Sequence, residues 1–378
     1  MAWIRAAAAT PFGRHEGLDS VDLMSQAATL ALQQAELERS DIGGVVCGHS
    51  TTHPHLMLAT VFAEHFGVQP HYAHGVQHGG ATGLAMVMLA NALVEQGVVD
   101  HILVIAGENR LTGQTRDSTV QSLAQVGHPR YEVPLGLNVP AYYALLASRY
   151  LHEYGLAEED LAEFAVLMRR HAMCHPHAHL KEALTVQTVM ASKPIATPLK
   201  LLDCSPISDG GAAVIVSRRP SGAHPTRIAG CGQAHMHQHA TAAQDLIRSG
   251  ARESAHRALA AAGTGLAHID YLGIYDSFTV TLAVLLEQIG VCAPGKAAED
   301  ARAGRFDRGG PLPLNTPGGL LSYGHCGAAG SLGHLVETHL QLSGNAGERQ
   351  VARARRALLH GDGGIMSSHV SMVLEAAQ

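Results

Sequence analysis

Apolar residues recur at helical spacing over residues 20–37, where Val21, Leu23, Met24, Ala27, Leu30, Ala31 and Ala35 share one face. Asp19 or Ser20 is placed to cap that helix. Residues 42–47 read as a buried strand and residues 84–94 as a second apolar helix, which Gly97 stops. Residues 101–107 form a short apolar run between turns, the pattern of a central parallel strand. Strands alternating with helices predict a layered α/β sheet. Over residues 111–223 the alternation loosens into helices and Gly-, Pro- and His-rich loops, as expected of an insertion. Its last part, residues 209–216, returns to a Gly-rich turn and a buried strand. The alternation then resumes: helix 245–262, strand 271–275, helix 279–290, helix 331–342, and closing strands at 357–359 and 368–374.

Composition narrows the class without changing that picture. The 378 residues are 46% apolar and 15% charged, enough to bury a large core in two or three domains. A net charge of −6 offers no basic stripe for nucleic acid and no polybasic membrane anchor. The longest apolar runs are strand-sized, so none spans a bilayer, and the start Met1-Ala2-Trp3-Ile4 reads into a strand rather than a signal peptide. Six scattered cysteines form no CxxC pair and no disulfide framework. A cytoplasmic protein is expected.

One internal repeat carries chemistry. His78-Gly79-Gly80-Ala81-Thr82-Gly83 is echoed by His325-Cys326-Gly327-Ala328-Ala329-Gly330, and each opens an apolar helix. Small residues let a helix N-terminus lie deep against other backbone, where its free N–H groups favour an anion or oxyanion. Two copies predict two similar halves meeting at a shared site.

The residues around these copies resemble thiolases. The opening Ala9-Thr10-Pro11-Phe12-Gly13-Arg14 is similar to their N-terminal signature. The stretch from Asn315-Thr316-Pro317-Gly318-Gly319 to Gly324-His325 is similar to the segment that carries their catalytic histidine. Leu202-Asp203-Cys204-Ser205-Pro206 through Ala213 resembles the end of their loop domain, and Tyr275-Asp276-Ser277-Phe278 falls where they have Asn-Glu-Ala-Phe or His-Asp-Cys-Phe. The likeness is strongest to the sterol-carrier-protein-x branch. It implies an α/β thiolase-like fold of two βαβαβαββ halves related by a pseudo-twofold axis. The halves would be residues 1–225, with a loop domain at about 111–223, and residues 226–378. It also implies acyl-CoA substrates, with coenzyme A as the handle, and homodimers.

The departure from that pattern is Gly80, which stands where a thiolase has its nucleophilic cysteine. Glycine cannot hold an acyl group. Thr82 is better read as packing or capping the helix than as a replacement nucleophile. By resemblance His325 is the histidine that donates to the thioester oxygen. Cys326 beside it, at a helix N-terminus, has the setting for a lowered pKa and a relocated nucleophile; packing is the plainer reading. Tyr275 takes the place of the residue that fixes the oxyanion water. Thiolase-like aldolases acting on steroid side chains resemble this chain in lacking the cysteine and using a tyrosine near this position, although there a second tyrosine replaces the histidine. As a free base Tyr275 needs a pKa well below the usual ~10. His360 falls at the second thiolase cysteine and is placed to move protons; Asp362 reads as a turn residue. The histidines at 171, 175, 177 and 179 and at 235, 237 and 239 read as solvated loop residues rather than a metal site, so no metal is expected.

Three functions stay open: retro-aldol cleavage of a β-hydroxyacyl-CoA in lipid or steroid metabolism, acyl transfer through another nucleophile, and a non-catalytic scaffold. Cysteine-less relatives pair with a small OB-fold protein bearing a zinc ribbon, which makes such a partner an expectation here.

Overall fold

The computed structural model describes residues 2–222 and 224–377, so Met1, Gln378 and Ala223 (the expected end of the insertion) lie outside the described residues. The first part of the chain runs β1 (Trp3–Ala9), α1 (Ser20–Ala35), β2 (Gly44–Gly48), α2 (Leu58–Phe66), β3 (Tyr72–Val76), α3 (Thr82–Glu95) and β4 (His101–Asn109). An insertion follows: α4 (Arg116–Ala124), α5 (Val139–Tyr154), α6 (Glu158–Ala172), α7 (Val186–Met190) and the ribbon β5 (Pro194–Ala196) with β6 (Leu199–Lys200). The chain then returns through β7 (Asp209–Ser217), β8 (Thr226–His235), α8 (Ala251–Ala261), β9 (Tyr271–Ile274), α9 (Thr279–Ile289) and α10 (Ala297–Arg302). A π-helical turn (Gly319–Tyr323), α11 (Ala328–Ser343), β10 (Arg356–Gly363) and β11 (Ser368–Ala376) complete it.

Nine strands form one sheet in the order β3-β2-β4-β7-β1-β8-β11-β10-β9. Alternation along β4 shows how it is packed. Ile102 and Val104 face a core built around α3 and α11, whereas Leu103 and Ile105 face α1 and α2. The same α3–α11 core takes Ala357 and Leu359 of β10, while Leu358 faces the outer layer of α8, α9 and the insertion. The two repeat-derived helices are thus sandwiched between the two halves of the sheet, and they touch. Gly83 N–H donates to Ser331 Oγ at 3.0 Å, and a Cβ on Gly83 would collide with that side chain.

The first half has the expected βαβαβαββ order. The second departs from it, because only an isolated bridge between Leu272 and Leu314 stands where a fifth strand belongs. Pro311 and Pro313 lead into that bridge and have no N–H to extend a ladder. Residues 209–217, read with the insertion from sequence, are an integral strand between β4 and β1. The Asp209 carboxylate ties the base of the insertion by accepting from Leu111 N at 2.7 Å and His15 N at 3.1 Å. No described helix is long and apolar enough to cross a membrane.

Candidate active site

Both repeat copies sit at the N-termini of the sandwiched helices, and the first explains the missing thiol. A Cβ built on Gly80 would lie closer than 3 Å to the Tyr275 hydroxyl and to the Asp362 carbonyl oxygen. The phenol therefore occupies the volume that a side chain at position 80 would need. Around it the loops press backbone to backbone, since a Cβ on Gly79 would meet Gly364 N at 2.7 Å. Thr82 is the first residue of α3 and does not cap it; its hydroxyl ties down the preceding loop, donating to Gly79 O at 2.6 Å and accepting from His78 N at 2.9 Å.

Tyr275 follows β9 and is anchored by its N–H to His360 O at 2.9 Å. Its hydroxyl lies 3.0 Å from His325 Nε2, with the two rings nearly perpendicular. His325 is placed by main-chain bonds to the end of the insertion, its N–H donating to Pro206 O and its carbonyl accepting from Ser208 N. His325 Nδ1 is buried without a hydrogen-bond partner. Burial, reinforced by Arg110 and His334, holds the imidazole down at about 3, so it is neutral at physiological pH. Burial and the nearby Asp362 push the Tyr275 phenol up, not down. These surroundings disfavour the free phenolate base considered from sequence and favour a resting pair of neutral phenol against neutral imidazole.

Asp276, next in the chain, organises the histidine segment. Its carboxylate accepts from Leu320 N at 2.7 Å and Leu321 N at 3.3 Å, and His334 Nε2 lies 3.3 Å from it. Gly319, at φ +59°, leaves room for that carboxylate, which any side chain there would strike. Asn315 fastens the same segment to β9 through a pair of bonds with Ile274, its Oδ1 accepting at 2.8 Å and its Nδ2 donating at 2.7 Å. Ser322 accepts from Arg169 Nε and the Tyr323 ring lies tilted against Phe12 at 4.6 Å, so both serve packing.

Of three other sequence readings, that of Cys326 narrows to packing and two change. Cys326 is wholly buried against Phe12 and Gly210, and burial with the nearby Glu108 raises its thiol well above the ordinary range. The helix terminus does not activate it, because desolvation of a thiolate outweighs the dipole. His360 is brought near the site only by its backbone. Its Nδ1 lies 2.7 Å from Ser371 Oγ and its Nε2 3.1 Å from His369 Nδ1, on the face of β10 that carries Leu358. Asp362 is not a turn residue but a strand residue paired with His369 of β11, and Tyr143 of the insertion donates to its Oδ2 at 2.9 Å. Its burial was readable in part, since Leu358, His360 and Asp362 continue a period of two.

The histidine clusters are likewise not uniformly solvated. His171 and His175 are buried, the first on α6 and the second against Tyr323. Among the described residues no group of three or more His, Cys, Asp or Glu converges as a metal site.

Comparison with known proteins places this arrangement. Residues 2–220 match the thiolase N-terminal domain and residues 232–376 the thiolase C-terminal domain-like family. An acetyl-CoA acetyltransferase of Methanothermobacter thermautotrophicus is 29% identical, over 96% of each chain. A steroid side-chain-cleaving aldolase of Thermomonospora curvata is 30% identical, over 85% of each. The solved Ltp2-ChsH2(DUF35) aldolase superposes with a TM-score of 0.87 at 27% identity, covering 99% of this chain and 97% of that one. The fold, the paired helix termini and matches along nearly the whole length agree: the chain belongs to the thiolase family.

Proposed function

We propose that the protein is an acyl-CoA lyase that cleaves a β-hydroxyacyl thioester by a retro-aldol step without an acyl-cysteine. The observation that carries this reading is the Tyr275 hydroxyl lying in the side-chain volume of Gly80 and against His325 Nε2. Acyl transfer needs a nucleophile there; a retro-aldol reaction needs only a proton acceptor and a place for negative charge. The substrate hydroxyl gives its proton to Tyr275 Oη as Tyr275 passes its own to His325 Nε2, in the tautomer that leaves Nε2 bare. The Cα–Cβ bond breaks, the hydroxyl carbon leaves as a carbonyl, and the electron pair becomes a thioester enolate. The imidazolium and the N-termini of α3 and α11 stabilise that charge. A neutral resting pair suits this chemistry, because charge appears only as the bond breaks.

The aldolase relative and the aldolase structure support this reading. The acetyltransferase relative favours acyl transfer, but Cys326 is enclosed and strongly protonated. For the acyl group we propose a steroid or related lipid, on the strength of the same aldolase relative. A DUF35 protein is named with the similar aldolase, and a small OB-fold, zinc-ribbon partner is proposed for this chain. Pairing of two copies is proposed across β3, the half-exposed strand at the sheet edge. Six free cysteines suit a cytoplasmic setting.

The test offers steroidal, aromatic and aliphatic β-hydroxyacyl-CoAs, with and without a partner, and follows products by mass spectrometry. Release of a carbonyl compound and a shortened acyl-CoA, with no acylated protein, is expected. An acyl group on Cys326 overturns the proposal.

A further inference from the structure

Cleavage leaves an enolate carbon that must gain a proton, while Tyr275 and His325 have just taken one. A second acid stands behind them. Asp362 is 1% exposed, on the strand whose main chain forms the wall beside Gly80. Its Oδ2 accepts from Tyr143, and its Oδ1 has no hydrogen-bond partner. An ionised carboxylate with one oxygen bare in the interior is costly, so the group holds its proton. Burial raises it to about 8, against the opposing pull of the Tyr143 hydrogen bond.

The groups facing it leave it without a counter-charge. From α5 comes Tyr143, and after β9 comes Tyr275, both neutral phenols raised by burial. From β11 comes His369, with Nδ1 4.0 Å from Oδ1, and from its own strand His360; burial keeps both neutral. The Tyr143 ring is fixed by stacking on Phe278 at 4.4 Å, which aims its hydroxyl at Asp362.

We propose that Asp362, acting through the Tyr143 hydroxyl, supplies the proton that quenches the enolate. The assignment rests on the aldolase reading above. Tyr143 forms the new C–H bond with its O–H proton and is reprotonated from Asp362 across their 2.9 Å hydrogen bond, which leaves a carboxylate. The proton that Tyr275 passed to His325 leaves to solvent, and Asp362 takes one back from solvent. One proton has moved from oxygen to carbon, and nothing is oxidised or reduced. Asp362 is a positioning residue in this scheme, and Tyr143, whose hydroxyl also lies 3.3 Å from Gly364 O on the loop pressed against Gly79, is the group assigned to the substrate.

Running the step backwards gives an assay that needs no carbonyl co-substrate: wash-in of deuterium at C2 of acetyl-CoA and propionyl-CoA in heavy water. The carboxylate form of Asp362 starts this exchange, so the wild-type rate rises as pH passes about 8. Asp362→Asn should slow exchange by about 100-fold and abolish the rise, and Asp362→Glu should restore part of both. Exchange by Asp362→Asn at the wild-type rate and profile overturns the assignment, while loss of cleavage in Tyr275→Phe leaves the aldolase reading standing. Absence of exchange in the wild type at every pH overturns both. If near-UV circular dichroism shows Asp362→Asn unfolded, Tyr143→Phe carries the test, and an unchanged pH profile in that variant refutes the relay.

Discussion

Restoring the thiol should fail for a steric reason that can be measured. In Gly80→Cys the new Cβ alone would lie closer than 3 Å to the Tyr275 hydroxyl and the Asp362 carbonyl, before the sulfur is counted. The backbone cannot yield easily, because Gly79 and Gly363 already press against the neighbouring loops. Tyr275 must therefore swing out and give up its 3.0 Å contact with His325. Overpacking of this kind costs about 1–3 kcal/mol, and cleavage should fall at least about 100-fold with the proton acceptor displaced. Gly80→Cys combined with Tyr275→Asn removes the obstruction. It should recover most of the lost stability, giving a coupling of about 1–3 kcal/mol in a double-mutant cycle. Urea melts of the four proteins measure the coupling, and acyl-CoA mass labelling reports whether the thiol is reachable. Additive stabilities, or a single Gly80→Cys variant with full cleavage activity, would show that the phenol does not hold that space.

Tyr275→Phe removes the proton acceptor but keeps the ring, so kcat should fall by about 10²–10⁴ with the melting temperature nearly unchanged; His325→Gln should act alike. Cys326→Ala leaves a small void costing about 1 kcal/mol, and activity should stay within about twofold, read from steady-state cleavage. Acid should unfold the protein early. His171, His175, His325, His339 and His369 are held down to between about 3 and about 4 by burial, so the unfolded chain binds protons that the native chain refuses. Their folded values are depressed, so stability is lost as pH falls below about 6.5, at up to about 1.4 kcal/mol per unit for each. Urea midpoints at pH 7.5, 6 and 5 check this.

Local pattern was enough for many of the sheet's elements, because α1, α9, α11 and the strands β2, β4, β7, β9, β10 and β11 each show an apolar run or period within one window. It missed α2 and β3, whose burial depends on pairing at an edge that a single segment does not reveal. The same limit shaped the site. Gly80 and His325 were legible because short motifs surround them. That Tyr275 fills the space over Gly80 is a contact between distant parts of the chain, which no local spacing encodes. His171 was misread although Leu161, Phe164, Leu167 and Met168 mark the buried face of α6, and it lies three and four residues beyond the last two.

The exchange of thiol for phenol also explains why the rest of the thiolase apparatus persists. The Asp276 clamp and the Asn315 tie to β9 hold the segment that carries His325, and on the aldolase reading enolate chemistry needs that segment and both helix N-termini as much as acyl transfer does. The single part that differs in kind is the group over Gly80. A cysteine there must reach outward to a carbonyl carbon, whereas Tyr275 arrives from across the site with its oxygen already against the histidine. Glycine is then a requirement, since any side chain would evict the phenol, and the pair 80/275 must change together for the chemistry to revert.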